Sequence, residues 1–342
     1  MTLSNVFVSL VCPVYNEEKH IAQCLDSILG QTYSGNIEIL LVDGFSSDMT
    51  RQIIHSYCLK HSNIILLNNP IRFTPVSLNI GVKQARGEYV IRIDAHSIYP
   101  NNYIETLIHS FNQLNADNVG CVIKTLPATN SIKCRSIAYV LSHPFGVGNS
   151  YFRIGTSQIL KVDTVPFGCF KRSLFEKIGL FDEELLVNQD DEFNARIIKN
   201  GGEIYLLPDI SVNYFARDSI YKTIRMFYQY GLYKPLVNSK IGATTTIRQI
   251  FPLLFLLGIC LGPFTGLFYS KIFFLYFFIL FLYFFLAIYF SINSLNKIKE
   301  RVVLYMPILF FMVHISYGYG YLLGQIKVLF GKTFNKNQTV TR

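Results

Sequence analysis

The sequence predicts an α/β protein, a mostly parallel sheet with helices on both faces, followed by helices embedded in a membrane. Two observations carry this expectation. Between Phe7 and Lys124, short apolar runs rich in β-branched residues alternate with amphipathic segments, joined by short connections. Between Ile250 and Asn296 the only charged side chain is Lys271, a stretch too apolar to face water.

Phe7 to Val14 predicts a buried strand. Asn16 is placed to cap the next helix, with Glu17 and Glu18 in its first turn. Ile21, Cys24, Leu25 and Ile28 recur at helical spacing and mark its buried face. Ile37 to Val42 predicts the second strand, and Ser47 or Asp48 the cap of a helix through Tyr57. Ile64 to Leu67 is the third strand, Pro75 starts a helix ending near Arg86, and Tyr89 to Ile93 is the fourth strand. A helix over Asn101 to Leu114 and a strand over Val119 to Lys124 follow. From Thr125 to Gln158 the periodicity blurs. Glycine and polar residues are frequent there, as in Gly146-Val147-Gly148-Asn149-Ser150, so the whole stretch predicts a mobile or substrate-facing segment or, equally, an ordinary surface loop. Order returns at Val165 to Phe170, then in helices over Ser173 to Ile178 and Asp190 to Lys199. A strand over Glu203 to Leu207 and an amphipathic helix over Ser219 to Tyr230 complete this part.

Three apolar segments come next. Ile250 to Tyr269 and Ile272 to Ile292 are each long enough to cross a bilayer, which takes about 20 residues, with Ser270-Lys271 as the joint. Val302 to Ile326 is the third; crossing, re-entrant and interfacial placements all fit it. The basic link Lys297 to Arg301 predicts an inner-side connection. Met1 to Asn5 leads directly into a strand with no secretory leader, so the first domain is expected in the cytoplasm. The expected boundaries are 1–240 for that domain, 241–330 for the membrane region and 331–342 for a basic tail.

The net charge is +9 over 342 residues. Lys234, Lys240, Arg248 and Lys327 lie near the apolar segments, which fits anionic lipid headgroups better than nucleic acid. Seven cysteines occur without a C-x-x-C pair and read as reduced core residues. There is no G-x-G-x-x-G after the first strand and no G-x-x-x-x-G-K-[ST], which disfavours a dinucleotide oxidoreductase and a P-loop enzyme.

Ligands of such sheets bind beyond the carboxyl ends of the strands. Polar clusters fall at those ends: Asn16-Glu17, Asp43, and Asp94-Ala95-His96. Asp94 and His96 offer oxygen and nitrogen to one divalent ion, Mn2+ or Mg2+, and the imidazole favours Mn2+. An ion there could hold a diphosphate. A carboxylate at Asp43 fits acceptance of an N–H from a ligand, and shaping a turn or capping a helix fits Asp43 and Asp48 equally well. Gln189-Asp190-Asp191-Glu192 clusters acids, which raises the pKa of one and suits it to a base role. A helix N-terminus also favours acids.

Five stretches occur in the order of a known family: Cys12-Pro13-Val14-Tyr15-Asn16-Glu17-Glu18, Val42-Asp43-Gly44-Phe45-Ser46-Ser47-Asp48-Met49-Thr50, Asp94-Ala95-His96, Val165-Pro166-Phe167-Gly168, and Gln189-Asp190-Asp191-Glu192-Phe193-Asn194. The chain resembles inverting family 2 glycosyltransferases of the GT-A fold, in the membrane-anchored bacterial exopolysaccharide type that includes the succinoglycan glucosyltransferases. The resemblance covers Val6 to Tyr233. It implies that Pro13, Tyr15, Asn16 and Glu17 cup the donor nucleotide and that Asp43 accepts the base's N–H. It places Asp94 and His96 at the family's D-x-D, with His in place of the second acid. Asp190 takes the place of the catalytic base, with Asp191 as the alternative and Gln189 departing from the usual glutamate. Gly168 is assigned to close approach of the backbone to a substrate and Arg172 to a phosphate or the acid cluster, with a helix-start role open for both. Arg217, Lys222 and Arg225 are assigned to the diphosphate, with a basic face against lipid headgroups equally open. The Q-x-x-R-W motif of processive synthases is absent, and the chain has no Trp.

The expected activity is metal-dependent transfer of one sugar from a nucleotide-sugar, UDP-linked, to a polyprenyl-diphosphate-linked acceptor in exopolysaccharide, capsule or O-antigen assembly. The expected location is the bacterial inner membrane, multi-pass, with the catalytic domain in the cytoplasm and membrane lipids as neighbours. The alternative is a non-catalytic, sugar-nucleotide-binding scaffold of a polysaccharide assembly complex.

Overall fold

The computed structural model describes residues 6–244, 246–266, 269–298, 305–332 and 334. It divides into two compact units: Met1–Lys124 with Gly155–Tyr214, and Thr125–Ile154 with Phe215–Arg342.

The first unit opens with β1 (Val8–Val14), α1 (Ile21–Leu29), β2 (Ile37–Asp43), α2 (Thr50–Cys58) and β3 (Ile64–Asn68). It continues with α3 (Thr74–Gln84), β4 (Tyr89–Arg92), the two-residue β5 (Ser97–Ile98), α4 (Tyr103–Gln113) and β6 (Asn118–Leu126). β1 is buried at every position, as a strand covered on both faces must be. It pairs in parallel with β2 and with β4, and β2 pairs in parallel with β3. Pro13 has no N–H to give; it lies past the last β1–β4 pair, Val11 with Arg92. The shared direction brings the segments after Val14, Asp43 and Arg92 to one edge of the sheet.

Beyond β4 the sheet changes character. After the helices of the second unit described below come β7 (Leu160–Lys161), β8 (Cys169–Lys171) and β9 (Ile204–Phe215). The strand order is β3-β2-β1-β4-β8-β6-β9-β5, with β7 also on β9. β8 lies antiparallel to β4 and β6, and β9 antiparallel to β5 and β7. β9 extends well past Leu207, the expected end of the strand, and runs through Pro208. Its far end pairs Tyr214 with Ser97.

Two expectations are corrected here. Asn16 does not cap α1: the helix starts four residues later behind His20, and Asn16 takes a left-handed φ of 54°. Glu17 and Glu18 are therefore in the loop and not in a first helical turn. The stretch Thr125 to Gln158 is not a loop. It forms α5 (Ile132–Leu141), α6 (Pro144–Val147) and α7 (Tyr151–Ile154), with Ser131 Oγ accepting from the Cys134 N–H at 3.3 Å as a cap. Its glycines and polar residues hide an apolar face. Ile137, Ala138, Val140 and Leu141 pack with Met226, Phe227, Ala287, Met306, Leu309, Phe310 and Val313, so tertiary burial holds α5.

In the first unit, α8 (Arg172–Ile178) and α9 (Gln189–Lys199) flank β8 and β9 in sequence. In the second unit, α10 (Ile220–Ile241) runs through Pro235 and well beyond Tyr230. α11 (Phe251–Thr265), α12 (Ser270–Ile298) and α13 (Met306–Leu329) follow. Ser270 and Lys271 begin α12 and do not form a joint. Three helical spans, Ile247–Thr265, Ser270–Ser294 and Met306–Leu329, are long and apolar enough to cross a membrane. Of the expected basic segments, residues 299–301 of the link lie outside the described residues. So does the tail apart from 331, 332 and 334.

α10 and α13 pack backbone to backbone. A Cβ at Gly320 would run into the Tyr228 carbonyl oxygen, one at Gly324 into that of Leu232, and one at Gly231 into that of Tyr317. This is the small-x-x-x-small device by which membrane helices approach closely. Gly258 on α11 has nothing within 4 Å of its Cβ position. Gly320→Ala is therefore expected to lower stability in detergent by about 1–3 kcal/mol. Gly258→Ala is expected to leave it unchanged or slightly raised. A thermal-shift series read by intrinsic Tyr fluorescence checks the pair, and equal behaviour of the two variants would refute the packing account.

Candidate active site

The loops after β1 and β2 are stitched together. The Asn16 N–H donates to Ser46 Oγ at 2.8 Å, and Asn16 Oδ1 accepts from the Ser47 N–H at 2.8 Å. The Glu17 N–H donates to Thr50 Oγ1 at 2.7 Å, and the Glu18 carboxylate accepts from the Met49 N–H at 3.1 Å. These bonds fix Glu17 with its side chain buried. Asp94 is fixed by its own backbone: its N–H donates to Tyr99 Oη at 2.7 Å, and its carbonyl accepts from Cys24 Sγ at 3.5 Å.

His96 Nδ1 lies 2.9 Å from Asp94 Oδ1 and 3.1 Å from Glu17 Oε1. The Tyr214 ring covers the imidazole at a centroid distance of 5.0 Å. Among the described residues, His96 Nε2 is buried without a hydrogen-bond partner. Burial works against a charged imidazole, but the Asp94 and Glu17 carboxylates outweigh it and hold the His96 pKa well above its ordinary value. Two carboxylates facing one ring favour positive charge at that spot, whether imidazolium or metal. One ligand atom from each of Glu17, Asp94 and His96 lies within 4.8 Å of the others. An ion about 2.0–2.5 Å from each donor needs such a spacing, so two oxygens and one nitrogen here fit a divalent cation.

The three acids at the start of α9 face three different partners. Asp190 is ion-paired with Arg92, the last residue of β4. Asp191 Oδ1 accepts from Thr164 Oγ1 at 3.1 Å. Glu192 is gripped by Arg196, with Nε at 2.5 Å and Nη2 at 2.9 Å. Burial pushes the Asp190 carboxyl above its usual range and the charges of Asp191 and Asp94 add to this, while Arg92 pulls the other way. A buried chain of hydrogen bonds backs this helix end. Asn118 Nδ2 donates to Asn194 Oδ1 at 2.6 Å, and Asn194 Nδ2 to Thr164 Oγ1 at 2.8 Å and to the Val165 carbonyl at 3.0 Å.

The other expected residues fall as follows. Pro13 is buried at the end of β1. Tyr15 lies under the Arg72 guanidinium, 5.6 Å from ring centroid to Cζ. Asp43 is fully buried; its oxygens accept from Ser46 Oγ at 2.5 Å and from the Ser46 N–H at 3.1 Å, and pair with Arg51 at 2.5 Å. A Cβ at Gly168 would strike Asn118 Oδ1, so its missing side chain makes room for that asparagine. Arg172 is not brought to this edge. It bonds the Gly87 carbonyl at 3.2 Å, at the start of β4, and pairs with Glu176 at 3.5 Å. Arg217 belongs to the second unit. Sequence reading passed over Arg92, Thr164, Asn194 and Tyr214. Arg92 did leave a signal, a cation inside an otherwise apolar run.

Residues 9–179 match the family model for glycosyl transferase family 2. The chain belongs to that family. This glycosyltransferase is 29% identical over 330 residues to a Methanococcus voltae enzyme named dolichyl N-acetyl-alpha-D-glucosaminyl phosphate 3-beta-D-2,3-diacetamido-2,3-dideoxy-beta-D-glucuronosyltransferase, covering 94% of this chain and 98% of that one. It is 27% identical over 246 residues to the succinoglycan biosynthesis protein ExoA of Rhizobium meliloti, covering 71% of this chain and 74% of that one. Its fold is similar to that of the mannosyltransferase PcManGT from Pyrobaculum calidifontis, solved in complex with GDP-Man and Mn2+, with a TM-score of 0.60 at 16% identity over 94% of this chain and 87% of that one. The GT-A fold expected from the sequence is thus the fold of this glycosyltransferase.

The donor geometry generates a metal-binding prediction for the glycosyltransferase. Glu17→Gln and His96→Ala should each weaken Mn2+ binding roughly tenfold or more. Glu18→Gln, which touches a helix start and not the triad, should leave it intact. Titration of free Mn2+ by electron paramagnetic resonance reads this directly, and an unchanged affinity in Glu17→Gln would remove that residue from the donor set.

Proposed function

We propose that this glycosyltransferase takes one sugar from a nucleotide-sugar, UDP-linked, and adds it with inversion to a sugar carried on a lipid phosphate. The observation that carries the reading is the meeting of two kinds of site within one unit. A donor set of Glu17, Asp94 and His96 stands at the sheet edge, and the Asp190 carboxyl is tied to that edge by Arg92, two residues before Asp94.

In this reading Pro13, Tyr15 and Asn16 form the wall against the nucleoside. Asp43 accepts the base's N–H, sharing its oxygens with Ser46 and Arg51. Asp190 takes the proton of the acceptor hydroxyl as that oxygen bonds to the anomeric carbon. The bond from that carbon to the diphosphate breaks, and its electron pair stays on the diphosphate oxygen. Attack on the face opposite the departing group inverts the centre. A divalent cation held by Glu17, Asp94 and His96, Mn2+ before Mg2+, would supply charge to offset the departing diphosphate. Asp190 is preferred to Asp191 because burial raises Asp190 toward a useful basicity.

The acceptor class rests on the second unit and on the relatives. The Methanococcus voltae protein is named for a dolichyl-phosphate-linked acceptor and the Rhizobium meliloti protein for succinoglycan biosynthesis. Three helices apolar enough to cross a bilayer suit an acceptor whose isoprenoid chain lies in lipid. A polyprenyl-diphosphate-linked sugar of exopolysaccharide, capsule or O-antigen assembly, met at the cytoplasmic face, belongs to this class.

Asp190→Asn is expected to lower kcat by roughly 10²–10⁴-fold with nucleotide binding unchanged, measured by nucleoside diphosphate release beside calorimetry. Asp191→Asn is expected to cost far less. Protonated Asp190 cannot accept the hydroxyl proton, so kcat should be lost as pH falls, with the acid limb above the ordinary aspartate range. Full turnover in Asp190→Asn would end the base assignment.

A further inference from the structure

We propose that Arg92 is the positioning residue for the base: its guanidinium, seated on the Phe167 ring, orients the Asp190 carboxyl toward the acceptor hydroxyl. This inference deepens the reading of Asp190 as the base and rests on it.

Three observations support it. Arg92 is a buried cation at the end of a strand, where an uncompensated charge would be very costly. Its side chain is 10% exposed, against 27% for the Asp190 carboxylate it holds, so the arginine is the packed partner and the carboxyl is the open one. Among the described residues Arg92 Nε and Nη1 are buried without a hydrogen-bond partner, so the ion pair of Nη1 with Asp190 is the contact that anchors the guanidinium. The third observation is under the guanidinium. Phe167 sits at φ 53°, a left-handed conformation that a bulky residue rarely adopts, and its ring lies 5.7 Å from Arg92 Cζ. Backbone bonds brace the same point: the Arg92 N–H donates to the Gly168 carbonyl at 3.0 Å, and Tyr103 Oη donates to the Phe167 carbonyl at 3.4 Å. A guanidinium packed over a ring is restricted in where its planar set of N–H groups can point. The carboxylate on that edge keeps one orientation, and its second oxygen is left for a proton.

A merely structural ion pair would share the contacts but not the kinetics. The test is a double-mutant cycle on the full chain in detergent, with whichever UDP- or GDP-sugar the wild type turns over and a synthetic polyprenyl-diphosphate-linked sugar as acceptor. Arg92→Gln should lower kcat by roughly 10²-fold and leave donor KM and the calorimetric nucleotide affinity unchanged. Arg92→Lys should recover part of the loss, because the charge returns without the fork. In the Asp190→Asn background neither Arg92 variant should lower kcat further, since a residue acting through Asp190 has nothing left to orient. If Arg92→Gln does not fold, the same cycle with Arg92→Lys decides. Losses that multiply in the double variants, or a raised donor KM with kcat preserved, would overturn the inference while leaving Asp190 in place. Full turnover in Asp190→Asn alone would instead overturn the reading beneath it.

Discussion

A buried cation needs a partner, and this requirement organises the first unit. Arg92 ends β4, whose four positions are all buried. Without an anion beside it, that charge would oppose folding by several kcal/mol. The anion comes from the start of α9, where the helix's own dipole makes an acid welcome. The pairing therefore fixes a helix end to a strand end. The bond from the Ile93 N–H to the Val11 carbonyl keeps the chain extended past Arg92. Residues two apart leave an extended chain on the same side, so Asp94 emerges on the side of Arg92. One ion pair thus brings the acids of α9 and the donors of the 94–96 loop to the same end of the sheet.

The parallel half of the sheet was legible because its signals are local. Continuous apolar runs mark strands buried on both faces, and the strand-to-helix rhythm fixes their direction. The polar residues at their ends were legible for the same reason. What escaped was set by distant partners. Asn16 looks like a cap from its neighbours alone, but Ser46 and Ser47, brought in by β2, engage its backbone N–H and side chain and turn it left-handed. β9 runs through Pro208 because Leu206 and Tyr205 find β7 before it and Asn213 and Tyr214 find β5 after it. Arg172 opens α8 as read, but only the antiparallel placing of β8 sends it to the opposite end of β4 from Asp94.

The second unit repeats the lesson in a different solvent. Helices α5 to α7 are short, and their sequence carries glycine and polar residues that on local grounds argue for a loop. Short helices are unstable alone. α6 persists here because Phe145 lies among the rings of Tyr283, Phe290, Phe310 and His314, contacts that only the assembled helices offer. The α13 span is 44% buried and the α12 span 6%. The glycines of α13 explain the difference: they let α10 lie against its backbone, while α12 turns a surface of Phe, Leu and Ile side chains outward.

The His at the second place of Asp94-Ala95-His96 removes one carboxylate from the local motif. A motif read along the chain then offers one negative charge, little to hold a dication against water. The folded chain restores the second charge from elsewhere, because Glu17 arrives from the loop after β1 and meets the same imidazole nitrogen as Asp94. The parallel register of β1 and β4 fixes that arrival, since it sets the two strand ends side by side. The departure of the motif from two acids is thus compensated in space by Glu17, which its sequence position marks only as a polar residue at a strand end. A donor set of two carboxylates and one neutral imidazole carries the charge of a paired-acid motif with one softer ligand added. Two oxygens and one nitrogen in that arrangement suit a divalent cation. The negative charge gathered at this edge therefore follows from a tertiary contact between two loops and is not written in the three-residue motif by itself.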